Sequence, residues 1–102
     1  MKFTVKNTKG YNITTLIRAI GYRYLGKNEE TKEINLVRSL EIGGYPRFHI
    51  FLKIDEKNQQ FFFSLHLDQK KPVYQRARAH AADYEGEVIK EETKRIKEIL
   101  EK

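Results

Sequence analysis

A chain of 102 residues, 39% hydrophobic and 33% charged, has the size and balance of a single compact domain, 1–102, with no room for a second. A domain this small buries only roughly 60 to 65% of its unfolded surface, which argues against an enclosed cavity for flavin, haem or dinucleotide; no cofactor is expected, and an active site would be a surface groove. Lys and Arg total 20 against 14 Asp and Glu, a formal charge of +6 that favours anionic partners such as nucleic acid, and the lack of cysteine excludes a disulfide framework, a thiolate zinc site and a cysteine nucleophile.

No apolar run approaches the roughly 18 residues that span a bilayer, and Met1 to Lys6 lacks the apolar stretch of a signal peptide, so a cytoplasmic protein without membrane contact is expected. Residues 2–6 allow a short edge strand with Phe3 and Val5 on one face. Asn12 or Thr14 can cap a helix whose apolar positions Ile13, Leu16, Ile17 and Ile20 follow the 3.6-residue period, and Gly21 suits the left-handed residue after its last turn. Tyr22 to Leu25 favour a strand, and residues 26–33 read as a polar connection. Ile34, Leu36, Leu40 and Ile42 alternate with Asn35, Val37, Ser39 and Glu41, a half-buried strand in which Arg38 is the misfit.

The strongest pattern runs from residue 43 to 68. Gly43-Gly44-Tyr45-Pro46 is a turn; Phe48, Ile50, Leu52 and Ile54 then share one strand face, with His49, Phe51 and Lys53 on the other. After a polar connection, Phe61, Phe63, Leu65 and Leu67 repeat the alternation, leaving Phe62, Ser64, His66 and Asp68 opposite. Residues 69–86 have no clear periodicity, although 76–82 are Ala-rich enough for a turn of helix. From Glu87 to about Leu100, Val88, Ile89, Ile96, Ile99 and Leu100 form the apolar stripe of a closing helix, with Glu85 and Glu87 at its positive end. The five basic residues from Glu87 to the C-terminus are nearly cancelled by interleaved acids. The sum is an α+β domain: an antiparallel sheet of about four strands, two helices on one face, and room for an extra N-terminal edge strand.

If the second hairpin closes about Lys57 and Asn58, Ile54 pairs with Phe61, Leu52 with Phe63 and Ile50 with Leu65, and His49 lies opposite His66. A preceding hairpin closed around Tyr45 would bring Glu41 beside His49. Two imidazoles with a carboxylate can serve as general acid and base in phosphodiester cleavage. Cross-strand histidines on an open sheet are equally ordinary surface residues, and two His with Asp68 or Asp83 could ligate zinc, though without a compact signature. Phe51 and Phe62, beside Lys53, would form a stacking platform for unpaired bases unless another segment covers them. Lys70, Lys71, Arg76 and Arg78 cluster just after Asp68 and could hold phosphates, or form a solvated loop. His80, if its loop folds back, would join His49 and His66, with Asp83 or Asp68 orienting one ring.

His66-Leu67-Asp68-Gln69-Lys70-Lys71-Pro72-Val73-Tyr74, followed by Ala79-His80-Ala81-Ala82-Asp83-Tyr84-Glu85-Gly86-Glu87, resembles a family of small bacterial and archaeal proteins of similar length whose function is not established. Pro46-Arg47-Phe48-His49 extends the resemblance over residues 36–100. It implies that His49, His66, Asp68, His80 and Tyr84 are the positions of interest. Ala81 and Ala82 depart from the family's Ser-Gly pair, which disfavours a phosphate-cradling turn. The element order is also loosely similar to double-stranded RNA-binding domains and to HicA-type toxins, in which a strand histidine cleaves messenger RNA; His49 would be a loose analogue.

Three functions follow. A basic nucleic-acid-binding module would use Lys53, Lys70, Lys71, Arg76 and Arg78. A protein-interaction or regulatory module would use an exposed edge strand. A ribonuclease-like hydrolase, metal-independent or metal-assisted, would use His49, His66 and His80, with Asp68, Asp83 and Tyr84 in support.

Overall fold

A computed structural model of the chain describes residues 1–69 and 78–102, with side chains for 1–69 and 86–102. In chain order the elements are β1 (Lys2–Lys6), α1 (Ile13–Ile20), β2 (Arg23–Lys27), β3 (Ile34–Ser39), β4 (Arg47–Asp55), β5 (Gln60–Asp68) and α2 (Arg78–Glu101). The strands form one antiparallel sheet in the order β1-β5-β4-β3-β2, with both helices packed on it. Residues 2–6 do add an edge strand: Phe3 pairs with Phe63 and Val5 with Phe61, which makes the sheet five-stranded.

Local chemistry fixes α1 at both ends. The Asn12 side-chain oxygen accepts from the Thr15 amide at 2.9 Å, and the Thr15 hydroxyl accepts from the Asn12 amide at 3.0 Å, a reciprocal cap that satisfies donors the helix leaves open. Gly21 takes φ 78°, where a side chain would be strained, and its amide reaches the Ile17 and Arg18 carbonyls.

The β4–β5 register is the one that the alternation dictates. Ile54 faces Phe61, Leu52 faces Phe63, Ile50 faces Leu65, and His49 faces His66. Every large apolar side chain in those pairs points to the helix side, where Ile50, Leu52 and Leu65 are fully buried with Leu36, Leu16, Ile20 and Ile96. Burial on this scale is the main driving force for folding, at about 25 cal/mol per Å² of apolar surface.

The structure differs from the sequence reading at three places. β3 stops at Ser39, so Leu40 and Ile42 lie in the turn, with Ile42 fully exposed. The β3–β4 pairing is centred on Gly43, with Gly44 at φ 91°; Ser39 faces Arg47 and Val37 faces His49, so Glu41 is not beside His49. Finally, α2 begins at Arg78 and not at Glu87, which leaves its first turn without an acidic residue.

Arg38 is explained by a buried carboxylate. Glu92, 4% exposed, accepts from the Tyr22 hydroxyl at 2.7 Å, from Arg95 Nε at 2.7 Å and Nη2 at 2.8 Å, and from Arg38 Nη1 at 3.3 Å. Arg95 Nη2 also donates to the Ile20 carbonyl at 2.6 Å, so the cluster ties α2 to the C-terminus of α1 and to β3. A charge out of water must be paired and hydrogen-bonded, and here it is. Among the described residues, no helix is long and apolar enough to cross a membrane.

Candidate functional site on the open sheet face

Both helices cover one face of the sheet, and the side chains that alternate away from them form the candidate site. Paired residues of neighbouring strands lie side by side, so this outer face reads as rows across the sheet. Asp68, Arg47 and Ser39 form one row; His66, His49, the buried Val37 (1% exposed) and Arg23 the next; then Lys2, Ser64, Phe51 and Asn35; then Thr4, Phe62 and Lys53; and last Lys6, Gln60 and Asp55.

Aromatic rings cross the middle of this face. The His49 ring stacks on Phe51 at 4.4 Å between centroids and 28° between planes, and Phe51 meets His66 edge-on at 5.5 Å and 73°. Phe62, in the adjoining row, is 40% exposed, and His66 is exposed as well. Phe51, Phe62 and Lys53 line a shallow groove of about 400 Å³ with Lys2, Thr4 and Glu33. Cations dominate: Lys2, Lys6, Arg23, Arg47 and Lys53 stand against Asp55 and Asp68, with Glu33 just before the start of β3.

Both acids have local partners. Asp55 accepts from the Asn58 side chain at 2.8 Å and its backbone amide at 3.1 Å, and those hydrogen bonds hold its carboxyl below the ordinary range. Asp68 Oδ2 lies 3.1 Å from His49 Nδ1 and 3.4 Å from Arg47 Nε, and the Arg47 guanidinium sits 4.7 Å from the centre of the Tyr45 ring.

His49 is gripped on both sides. Asp68 accepts from Nδ1–H, while Nε2 lies 3.0 Å from the Asn35 side-chain oxygen. Asn35 can accept from the imidazolium or, with its amide turned over, donate to the neutral ring, so the ring is held in either charge state. Only 16% of the side chain is exposed, and neither nitrogen is left for a substrate. His66 is different: its Nε2 is 3.1 Å from Ser64 Oγ, and its Nδ1 has no hydrogen-bond partner among the described residues. One ring is thus a fixture and the other is presented to solvent.

Of the residues expected from the sequence, His49, His66 and Asp68 come together, and exposed Lys53 stands two rows away beside Phe62. Lys70, Lys71 and Arg76 lie outside the described residues. Arg78, His80, Asp83 and Tyr84 fall within α2, but their side chains also lie outside the described part. Among the described residues, no three His, Asp or Glu side chains converge as metal ligands. Sequence reasoning did not single out Asn35, Arg47, Ser64 or Lys2. Alternation alone puts them on the outer face, and what was lacking was the β3–β4 register that brings Asn35 to His49. Comparison with protein-family models, curated proteins and solved structures returns no match.

Proposed function

We propose that this protein is a small basic module that binds single-stranded nucleic acid across the open face of its sheet. The observation that carries this reading is the aromatic band of His49, Phe51, His66 and Phe62, set among Lys2, Lys53 and Arg47. Every base has a π-face, so exposed rings take unpaired bases with little regard to sequence, at about 1–3 kcal/mol per base, while neighbouring cations hold the phosphates. Paired bases offer no such face, which favours single strands over duplexes.

The hydrolase reading has less support. Acid–base cleavage of a phosphodiester calls for imidazole nitrogens directed at the substrate, and both nitrogens of His49 are taken by Asp68 and Asn35. A protein-interaction reading rests on β2, an edge strand that exposes Tyr24 (52%) and Leu25 (44%).

Fluorescence anisotropy with labelled single- and double-stranded oligonucleotides, over a salt series and followed by a gel, tests the proposal. The expected result is micromolar binding to single strands that weakens with salt and leaves the strand intact. Cleaved RNA would restore the hydrolase, and no binding at low salt would leave a protein partner at the β2 edge.

A further inference from the structure

The basic and acidic residues that interleave along the α2 sequence are partly sorted once the helix winds. At 3.6 residues per turn, Lys90, Lys94 and Lys97 fall within about 60° of one another, with Glu101 inside that arc and Glu87 about 20° beyond Lys94, whereas Glu91 and Arg95 lie farther round. On this flank Lys90, Lys94, Lys97 and Lys102 stand against Glu98 and Glu101, which leaves a net positive charge. Lys97 Nζ lies 5.7 Å from the centre of the Phe3 ring, which stacks on Phe63 at 4.8 Å on the helix side of β1. The lysine flank therefore borders the β1 edge of the sheet.

Between α2 and that edge runs a groove of about 420 Å³ lined by the three lysines, Met1, Glu98 and Glu101, among others. On the other side of β1, Lys2 lines the outer-face groove with Lys53 and Phe62. Met1 belongs to one groove and Lys2 to the other, so a single edge strand separates two lysine-lined channels.

We propose that a single strand stacked on the open face crosses the β1 edge at Met1–Lys2 and continues along α2, its phosphates held by Lys97, Lys94 and Lys90. This rests on the stacking reading above and adds a path and a length to it. Lysine, a compact charge on a flexible stem, suits phosphate contacts that ignore sequence, and the stripe extends the footprint by about 10 Å of helix.

The test compares fluorescein-labelled oligouridines of about five and about fifteen nucleotides, bracketing common single-strand site sizes. The triple variant Lys90→Gln, Lys94→Gln, Lys97→Gln changes exposed or half-buried helix positions and leaves the aromatic face intact. It should bind the short oligonucleotide as the wild type does and the long one about tenfold more weakly, with the slope of log affinity against log salt shallower by about 2, as expected for three lost contacts on a single strand. Glu98→Gln with Glu101→Gln should tighten the long oligonucleotide alone. Equal effects of the lysine variant on both lengths, or no effect on either, would overturn the path while leaving the stacking reading in place. Wild-type protein that binds neither length would overturn the stacking reading itself.

Discussion

At the scale of single residues, Phe62 and Tyr22 separate the proposed binding face from the frame beneath it. Phe62 is 40% exposed, third in a nine-residue strand, so its truncation removes little buried surface. Phe62→Ala should weaken single-strand binding about tenfold, within the range for one lost base stack, and leave the melting temperature close to the wild type. Unchanged binding with a large loss of stability would show that the ring serves the core. Tyr22 is the opposite case, 7% exposed and donating to Glu92; burial, then the Glu92 charge and hydrogen bond, push its phenol far up. The folded state keeps the proton and the unfolded chain gives it up near its ordinary value of about 10. Its contribution is therefore complete below that pH and declines as pH rises above it, by up to about 1.4 kcal/mol per unit. Urea unfolding from neutral pH to about 11 should show this slope in wild type and not in Tyr22→Phe.

At the scale of elements, α1 depends on its caps and the sheet on its turns. Asn12→Ala removes the reciprocal cap and should cost about 1 kcal/mol, a fall of roughly 4 to 8 °C in a thermal melt. The α1 caps and the β4–β5 pairing were legible in the sequence because each is set by residues close together: Asn12 and Gly21 flanking a helical period, and strict alternation about a polar turn. The β3–β4 register was not, since Leu40 and Ile42 continue the apolar alternation beyond the point where pairing ends at Ser39. That miss moved Glu41 wrongly to His49 and hid Asn35. The start of α2 was likewise hidden, because residues 78–86 lack the apolar spacing that marks 88–100. Glu92 gave no signal either: a charged residue among charged residues is recognisable as buried only when Tyr22, Arg38 and Arg95 converge on it from distant elements.

At the scale of the whole molecule, the fold divides its labour between the two faces of one sheet. Phe61, Phe63, Leu65 and their neighbours bury one face under α1 and α2, and the intervening residues of the same strands present rings and cations on the other. Both edge strands carry basic residues at their ends, Lys2 and Lys6 on β1, Arg23 and Lys27 on β2, a placement that discourages edge-to-edge pairing of copies. The +6 charge gives the field that would draw a polyanion toward the molecule. Stacking of unpaired bases on the open face is tested most directly by titrating isotopically labelled protein with oligouridine, followed by NMR. The shifts should concentrate at Phe51, Phe62, Ser64 and His66 and spare the helix-covered residues Ile50 and Leu65. Shifts confined to the helix side, or none at saturating oligonucleotide, would contradict it.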